Sequence, residues 1–558
     1  VGLFRPGSSA PSITSPSRRL SRITTSRAAL NKEHIVQVTF LGHAGMYIET
    51  KHGSILCDPV FNSSYFGSWW VFPANDHLDV TPFVNPDYLF LSHTHLDHFD
   101  EKFLREQVSK DATVVLPDHP LGLIEKWLRK LGFTKFIQTR SAESLDVNGL
   151  KVMVTSLVAP ADGPLGDSGL CLDDGEVRIF NQNDSRPVHF EALEAFGPYD
   201  VHFLQYSGAI WYPMVYRFPQ KMKDALSSKK RVTQMERALR YAKQIGSPNI
   251  VPSAGPPCFL DDKLMYLNDF DRDPNNIFPD ATVFLELVAE VDYTQGHLMV
   301  PGSVMTIEPG ARVSVQHPGT DEEALAPYTH KREHIAAYKE RKQAEIDQIL
   351  ASLPSGQVEI FPAIKEWFEP ILEVADQTAL GIDDTLLLEL GEGGQIVIDF
   401  VNRQVREWDG VSPNRFVFHI PHQLVEYCII NHEEDWVNNL FLSCRFEAER
   451  KGTYNEFLYS FFKCLSIERI EYAEGYYVEQ HHEQQTFECE GYTIQRRCPH
   501  LKADLERFGE VDNGILTCTL HGWQFELETG KCLTSDDKKL YSRKIEETEP
   551  ALTGTSGE

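Results

Sequence analysis

Apolar and polar positions alternate with a period of two over Val36–Glu49 (VQVTFLGHAGMYIE), which predicts a strand pair. Shorter apolar runs at Tyr88–Leu91, Val114–Leu116 and Leu150–Leu157 predict further strands. Between them the spacing turns helical, over Leu121–Leu131 (stopped by Gly132) and over a long charged stretch, Lys221–Gly246. A helix over Ala326–Leu353 is charged on most faces with one apolar seam, as a connector or cap would be. Alternation resumes at Leu386–Leu390, Gln395–Phe400 and Arg415–Ile420. A helix near Glu456–Cys464 follows, then short strands to about residue 546. A chain of 558 residues is too long for one core, and this pattern divides it into about three domains.

Hydrophobic residues make up 42% of the chain, enough to fill such cores. The net charge of −28, from 53 basic and 81 acidic residues, argues against general nucleic-acid binding and leaves room for a local basic patch. Residues 1–32 are rich in Ser, Thr, Pro and Arg, with six basic residues and no acidic one. A disordered tail is the preferred reading, with a transit peptide or a cloning remnant as alternatives. Residues 547–558 also read as disordered. No apolar run is long enough to span a bilayer.

The stretch LFLSHTHLDHFD, Leu89–Asp100, places His93, His95, Asp97 and His98 within six residues at the end of a short strand. His-x-His puts two imidazoles on one side of an extended chain, and the turn after them brings Asp97 and His98 to the same cavity. Imidazole and carboxylate suit Zn, Fe or Mn. This stretch resembles the HxHxDH signature of the metallo-β-lactamase superfamily. Ser54–Pro59 (SILCDP) is similar to the family's next strand, and Val177–Asp184 (VRIFNQND) to the strand that delivers a metal-bridging Asp. The resemblance implies an α/β domain, a metallo-β-lactamase-like αββα sandwich, over residues 33–330, with Asp184 as a ligand.

At the far end, Cys498-Pro499-His500 and Cys518-Thr519-Leu520-His521 are separated by seventeen residues. C-x-H followed by C-x-x-H is the spacing of a Rieske [2Fe–2S] centre, with Cys498 and Cys518 on one iron and His500 and His521 on the other. A zinc ribbon would show two Cys-x-x-Cys knuckles instead. Rieske domains of respiratory complexes carry an extra disulfide between their loops. Lys502-Ala503 and Thr519-Leu520 stand there in this chain, as in the oxygenase or ferredoxin type. A small all-β Rieske domain is therefore expected over 465–546. Residues 331–464 form a helical connector and an α+β module that resembles, weakly, a sterol-carrier-like fold. The other eight cysteines show no framework spacing. An iron–sulfur protein of this kind is expected in the reduced cytoplasm.

A hydrolase needs no electron carrier, so the two centres together favour iron and oxygen chemistry at the first site. The chain resembles the CMP-N-acetylneuraminate hydroxylase family in VQVTFLGHAGMYIE, Asp58-Pro59 with Trp69-Trp70, SHTHLDH, NQNDSRP, VPSAGPPCF and the Lys-rich helix. It departs in order, with the Rieske domain last. It also lacks the superfamily's third and final His: Ala159-Pro160-Ala161-Asp162-Gly163 and Pro252-Ser253-Ala254-Gly255 stand there. Asp162 or Asp167 is the candidate substitute. The resemblance implies a monooxygenase or hydroxylase with a mono- or dinuclear non-haem iron, Zn or Mn being the other metals. It would use dioxygen and an external donor (a reductase, a ferredoxin or a cytochrome b5-like protein). The substrate would be a small polar molecule: a nucleotide sugar such as CMP-N-acetylneuraminate, or a natural-product intermediate, including an amine oxidised at nitrogen. The alternative is a phosphodiesterase- or lactonase-type hydrolase with a redox-sensing Rieske domain. If the two centres lie far apart in the monomer, electron transfer requires a homo-oligomer or a domain movement.

Other residues carry a structural reading beside a functional one. His43 lines the cleft or is a satisfied structural imidazole. Trp69, Trp70, Trp211 and Tyr212 are core before they are stacking platforms. Lys221, Lys223, Lys229, Lys230 and Arg231 form a solvated helix face or seat an anionic substrate group.

Overall fold

The computed structural model describes residues 35–159, 163–208, 210–479, 485–500, 503–520, 522–535 and 538–545. The two expected tails, Asp162, His481-His482 and His521 lie outside the described residues.

The first domain is built on two facing sheets. An eight-stranded sheet runs from Arg312–Gln316 through Val304–Glu308, Val36–Gly42, Gly45–Thr50, Gly53–Cys57, Tyr88–Phe90 and Thr113–Leu116 to Phe136–Gln138. A seven-stranded sheet runs from Gln295–Gly296 through Asn249–Ser253, Val201–Gln205, Arg178–Asn183, Gly163–Asp173 and Leu150–Ala159 to Ser144–Val147. Alternation decides what lies between them. Val36, Val38 and Phe40 of one sheet meet Val152, Leu170 and Phe203 of the other in a single core. Leu41, Leu89 and Val114 point the other way, onto Phe103 and Leu128 of the helices Glu101–Glu106 and Leu123–Lys130. Phe190 and Tyr241, from the helices Phe190–Phe196 and Gln220–Ile245, cover the outer face of the second sheet. The result is the αββα sandwich.

The expected connector is two helices, Asp321–Thr329 and Lys331–Ala351, broken at His330, whose φ of −119° and ψ of 45° leave the helical region. The first opens on a capping box between Thr320 and Glu323. The middle module is a five-stranded sheet with the order Gln404–Glu407, Gln395–Asp399, Thr385–Glu389, Phe416–His419, Glu447–Arg450. Leu386, Ile398 and Phe418 pack on Phe368, Phe461, Phe462 and Trp436. The helix Ile467–Glu479, past the boundary expected at 464, packs on helices of this module.

The same core takes in Tyr65, Trp69, Trp211 and Phe259 of the first domain. Arg445 pairs with Asp261 at 2.6 Å across the junction, and both side chains are buried. Among its described residues, the C-terminal domain consists of two three-stranded sheets. It docks on the sandwich through Phe508 against Phe190, ring centroids 4.9 Å apart, with an Arg507–Glu194 ion pair beside them. Among the described residues, no helix is long and apolar enough to cross a membrane.

Trp436 is fully buried, with ring centroids 5.5 Å from Phe462 and 5.6 Å from Phe368. Trp436→Ala should destabilise the middle module by about 3–5 kcal/mol, the usual effect of emptying an aromatic core position. Thermal denaturation checks this, and an unchanged transition would contradict the packing described.

Candidate metal centre and Rieske domain

The motif loop begins where the strand Tyr88–Phe90 stops. That strand pairs in parallel with Gly53–Cys57, so Cys57 sits opposite Phe90 and Asp58 lies at the same sheet end as Ser92. Asp58 is fully buried with φ of 37°. Its Oδ1 accepts from the Ser92 amide at 2.8 Å. Its Oδ2 accepts from Ser92 Oγ at 2.7 Å, lies 3.2 Å from His98 Nδ1 and takes a hydrogen bond from Asn183 Nδ2. At the motif's other end Asp100 caps the helix Glu101–Glu106 and holds the amides of Phe61 and Asn62 at 2.9 Å each. The loop is tied at both ends, and its His and Asp side chains are left to face one another.

The structure brings His93, His95, Asp97, His98 and Asp184 together. Asp184 follows Asn183, where a register shift against Val201–Gln205 and φ of 63° re-aim the chain. Its Oδ2 lies 3.8 Å from His93 Nε2 and its Oδ1 3.6 Å from His98 Nε2. One carboxylate therefore spans two imidazoles, as a bridging ligand does. Asp97 Oδ2 lies 3.7 Å from His98 Nε2 and 3.1 Å from His43 Nε2, and its Oδ1 accepts from the Tyr65 hydroxyl at 2.5 Å. The rings of His93 and His95 are 4.2 Å apart, centroid to centroid. Asp167 stands on the other side of His93, 3.5 Å from Nδ1, where it orients the ring.

The donor set fits a metal. His93 Nε2, His95 Nδ1, His98 Nε2 and Asp184 Oδ1 are buried and have no hydrogen-bond partner. Buried polar atoms converging in this way are costly without a cation. Groups of ligand atoms within 4.8 Å of one another form around His93, His98 and Asp184, and around His43, Asp97 and His98. The second group includes His43, whose reading was left open by the sequence. His43 sits on a Gly-His-Ala turn with φ of 53°, and its carbonyl accepts from the Ala254 amide at 2.9 Å. It thus lies beside the segment where the superfamily's final His is missing. Asp167, one of the two candidate substitutes for the missing His, lies beside His93 on its Nδ1 side; Tyr65 was not foreseen as a neighbour of the ligands, because no spacing links it to the motif.

The charges follow the geometry. Burial opposes charge on His98, but Asp184, Asp97 and Asp58 outweigh it and carry the imidazole up to about 10. Burial also opposes the Asp97 carboxylate, yet His98 and His43 hold it well below the usual carboxylate range. His93 and His95 are driven down by burial, and so remain neutral donors. Burial and Asp97 push the Tyr65 hydroxyl well up, so it keeps its proton and donates.

In the C-terminal domain Cys498 and Cys518 are buried, and the amide of Cys498 donates to Ala503 O at 2.8 Å to close its loop. Gly522 N donates to Cys518 O at 2.7 Å and closes the other. No disulfide joins the described cysteines. His500 stacks on Trp523, centroids 4.2 Å apart and planes at 14°. Burial, then Lys538, Arg186, Lys230 and Lys463, hold His500 well below the ordinary imidazole range. Arg186, one of these cations, is two residues past Asp184. Trp69, Trp70 and Trp211 are core, as favoured, and Tyr206 is buried with its hydroxyl on Gly255 O at 3.0 Å. Of the five bases on the long helix, Arg231 is buried against Asp269 at 2.8 Å, Lys223 holds Met214 O at 2.9 Å, and Lys221 and Lys229 are exposed.

Three family models match this chain: a beta-lactamase superfamily domain over 54–253, an Rv3818-like, SCP2-like domain over 360–479 and a Rieske [2Fe-2S] domain over 479–542. A Rieske 2Fe-2S iron-sulfur protein of Mycolicibacterium smegmatis is 46% identical over 519 residues, covering 91% of this chain and 100% of that one. Among solved structures, a metallo hydrolase of Ignicoccus hospitalis is 18% identical with a TM-score of 0.34, covering 49% of this chain and 99% of its own. The diiron β-hydroxylase CmlA of Streptomyces venezuelae is 18% identical with a TM-score of 0.33, covering 50% of this chain and 54% of its own.

Two outcomes follow from the ligand geometry. Asp58→Asn tolerates the left-handed backbone but removes the charge behind His98. It should weaken metal binding about 10–100-fold, read by competition with a chelator. In the apoprotein, His98 titrates near 10, above the ordinary imidazole value, so its stabilisation is full below about 6.5 and is lost as pH rises through about 10. At neutral pH metal loading should therefore release the His98 proton, measured as buffer-dependent heat in calorimetry.

Proposed function

The chain belongs to the family of the mycobacterial Rieske 2Fe-2S iron-sulfur protein, and from that membership we propose that it is an iron-dependent monooxygenase. The non-haem iron, mono- or dinuclear, would be held by His93, His95, Asp97, His98 and Asp184, and the Rieske cluster by Cys498, His500, Cys518 and His521. One observation carries the reading: Asp184 faces the metal ligands while Arg186, two residues on, bears on His500. A cluster that moves single electrons is thereby set against a site whose nitrogen and oxygen donors suit iron.

The reaction consumes a C–H or N–H substrate, dioxygen, two electrons and two protons, and yields hydroxylated product and water. Iron, when bound, supplies the dioxygen chemistry. The chain's residues do the rest. Asp184 spans the two imidazoles and fixes their separation. Tyr65 and His43 hold Asp97 from opposite sides, so its carboxylate cannot swing. Asp58 and Ser92 lock His98 and His93 from behind. His93, Asp97 and His98 are closed to solvent and only His95 and Asp184 are partly open, which limits water and gives a substrate one side of approach. The two electrons come singly through the Rieske centre from an external reductase, ferredoxin or cytochrome. A small polar substrate, a nucleotide sugar included, is compatible with this polar surround.

The test is metal analysis with low-temperature electron paramagnetic resonance, then stopped-flow oxidation of the reduced cluster by dioxygen. We expect a Rieske signal, iron beyond the cluster's own, and rapid cluster oxidation that Asp184→Asn slows by about 10–100-fold while the Rieske spectrum stays unchanged. Zinc in the first site with no iron uptake on reconstitution would overturn the proposal and favour a hydrolase with a redox-sensing Rieske domain.

A further inference from the structure

The turn that carries Tyr65 is both strained and docked on the metal motif. Ser64 and Trp69 exchange their backbone hydrogen bonds, Ser64 N to Trp69 O at 3.0 Å and Trp69 N to Ser64 O at 3.3 Å. Between them Tyr65, Phe66 and Gly67 are all left-handed, with φ of 52°, 59° and 67°. Two bulky residues in succession in that region are costly and persist only where the surroundings impose them. Here the motif loop does so. Ser64 Oγ donates to Leu96 O at 2.7 Å, and the Tyr65 hydroxyl donates to Asp97 Oδ1, on the next residue, at 2.5 Å.

A hydrogen bond to Asp97 needs only a hydroxyl. What the strained turn adds is a pair of aromatic rings. It sets Tyr65 edge-on to Trp69, centroids 5.0 Å apart and planes at 77°. Both residues are buried, and Trp69 Nε1 has no hydrogen-bond partner. A buried indole N–H usually finds one, so Trp69 is placed for its ring and not for a bond. Phenol and indole are among the side chains most readily oxidised by one electron. A phenol yields its electron more easily when a base takes its proton in the same step, and Asp97 Oδ1 already holds that proton's hydrogen bond.

We propose that Tyr65 is a redox-active tyrosine, which gives an electron to the metal centre when the centre has been oxidised and no substrate is there to react. The proposal rests on the oxygenase reading for the source of the oxidant in the cell. One electron passes from the phenol to the oxidised iron, and the O–H proton passes to Asp97 Oδ1. The ring gains no atom. Trp69, in ring contact with Tyr65, is the next donor in line. The Rieske cluster then returns one electron, the proton on Asp97 goes back to the phenol, and the imidazoles of the centre are spared oxidation.

The probe is hydrogen peroxide, a two-electron oxidant, mixed without air with the full-length protein carrying ferrous iron and then freeze-quenched. The cluster is kept oxidised, so that it neither quenches a radical nor adds a signal. Peroxide, ferrous iron, the phenol and one proton give two waters, ferric iron and a tyrosyl radical, which balances atoms and electrons. Electron paramagnetic resonance should show an organic radical that narrows when the tyrosine rings are deuterated and that is broadened by the iron beside it. Tyr65→Phe should lose the signal with iron content and Rieske spectrum unchanged, and Trp69→Phe should keep it. The broadening places the radical beside the centre even if Tyr65→Phe does not fold. Iron-loaded wild type with no organic radical, a radical that the iron does not broaden, or the same radical in folded Tyr65→Phe would overturn this proposal alone. A first site that takes up no iron would overturn it together with the oxygenase reading.

Discussion

The carboxylate of Asp58 is the point on which the metal centre depends. It is fully buried and never faces the ligand cavity, yet it holds the Ser92 amide and hydroxyl, the Nδ1 side of His98 and the side chain of Asn183. These partners belong to two segments that reach the site from different sheets. A single ion thus sets the distance between the motif loop and the strand end that carries Asp184. A buried anion of this kind would be unstable alone; three donors and a charged imidazole make it tolerable. Left-handed backbone at Asp58, Asn183 and His43 belongs to the same arrangement, strain that the surrounding sheets hold in place.

The middle module contributes to this centre without supplying a ligand. Tyr65, which donates to Asp97, lies in a hydrophobic core shared with Phe368, Phe418 and Trp436. Leu96, inside the metal motif, packs against that core as well. Asp435 of the same module bears on His95. The position of Asp97 is therefore fixed in part by side chains from Phe368 onward, and the module is a wall of the site as well as a domain of its own.

The motifs were legible because their ligands are neighbours in sequence. His93 to His98 fall in one loop, and Cys498 to His500 in another. Asp184 was legible from the family pattern of the strand before it. What could not be read were contacts made by the fold. His43 reaches Asp97 only because its turn meets the segment around Ala254. Tyr65 approaches from a loop with no spacing relation to the motif. Among the five bases of the long helix, nothing in the sequence separates Arg231, which is buried against Asp269, from Lys221 and Lys229, which are exposed. The expected single connector helix is two, because the turn at His330 breaks a pattern that is helical on both sides. Docking of the last domain was hidden for a plainer reason: Phe190 and Phe508 read as ordinary core residues.

That docking has a kinetic meaning. A ferredoxin that must find its acceptor by diffusion works at a rate set by its own concentration. Here Phe508 rests on Phe190, and covalent continuity makes the encounter unimolecular. Delivery of an electron from the cluster to the sandwich would then be first order and indifferent to dilution, while recharging of the cluster by an outside donor would stay second order. The chain would behave as a wired pair with one free terminal, its internal step independent of how crowded the surrounding solution is.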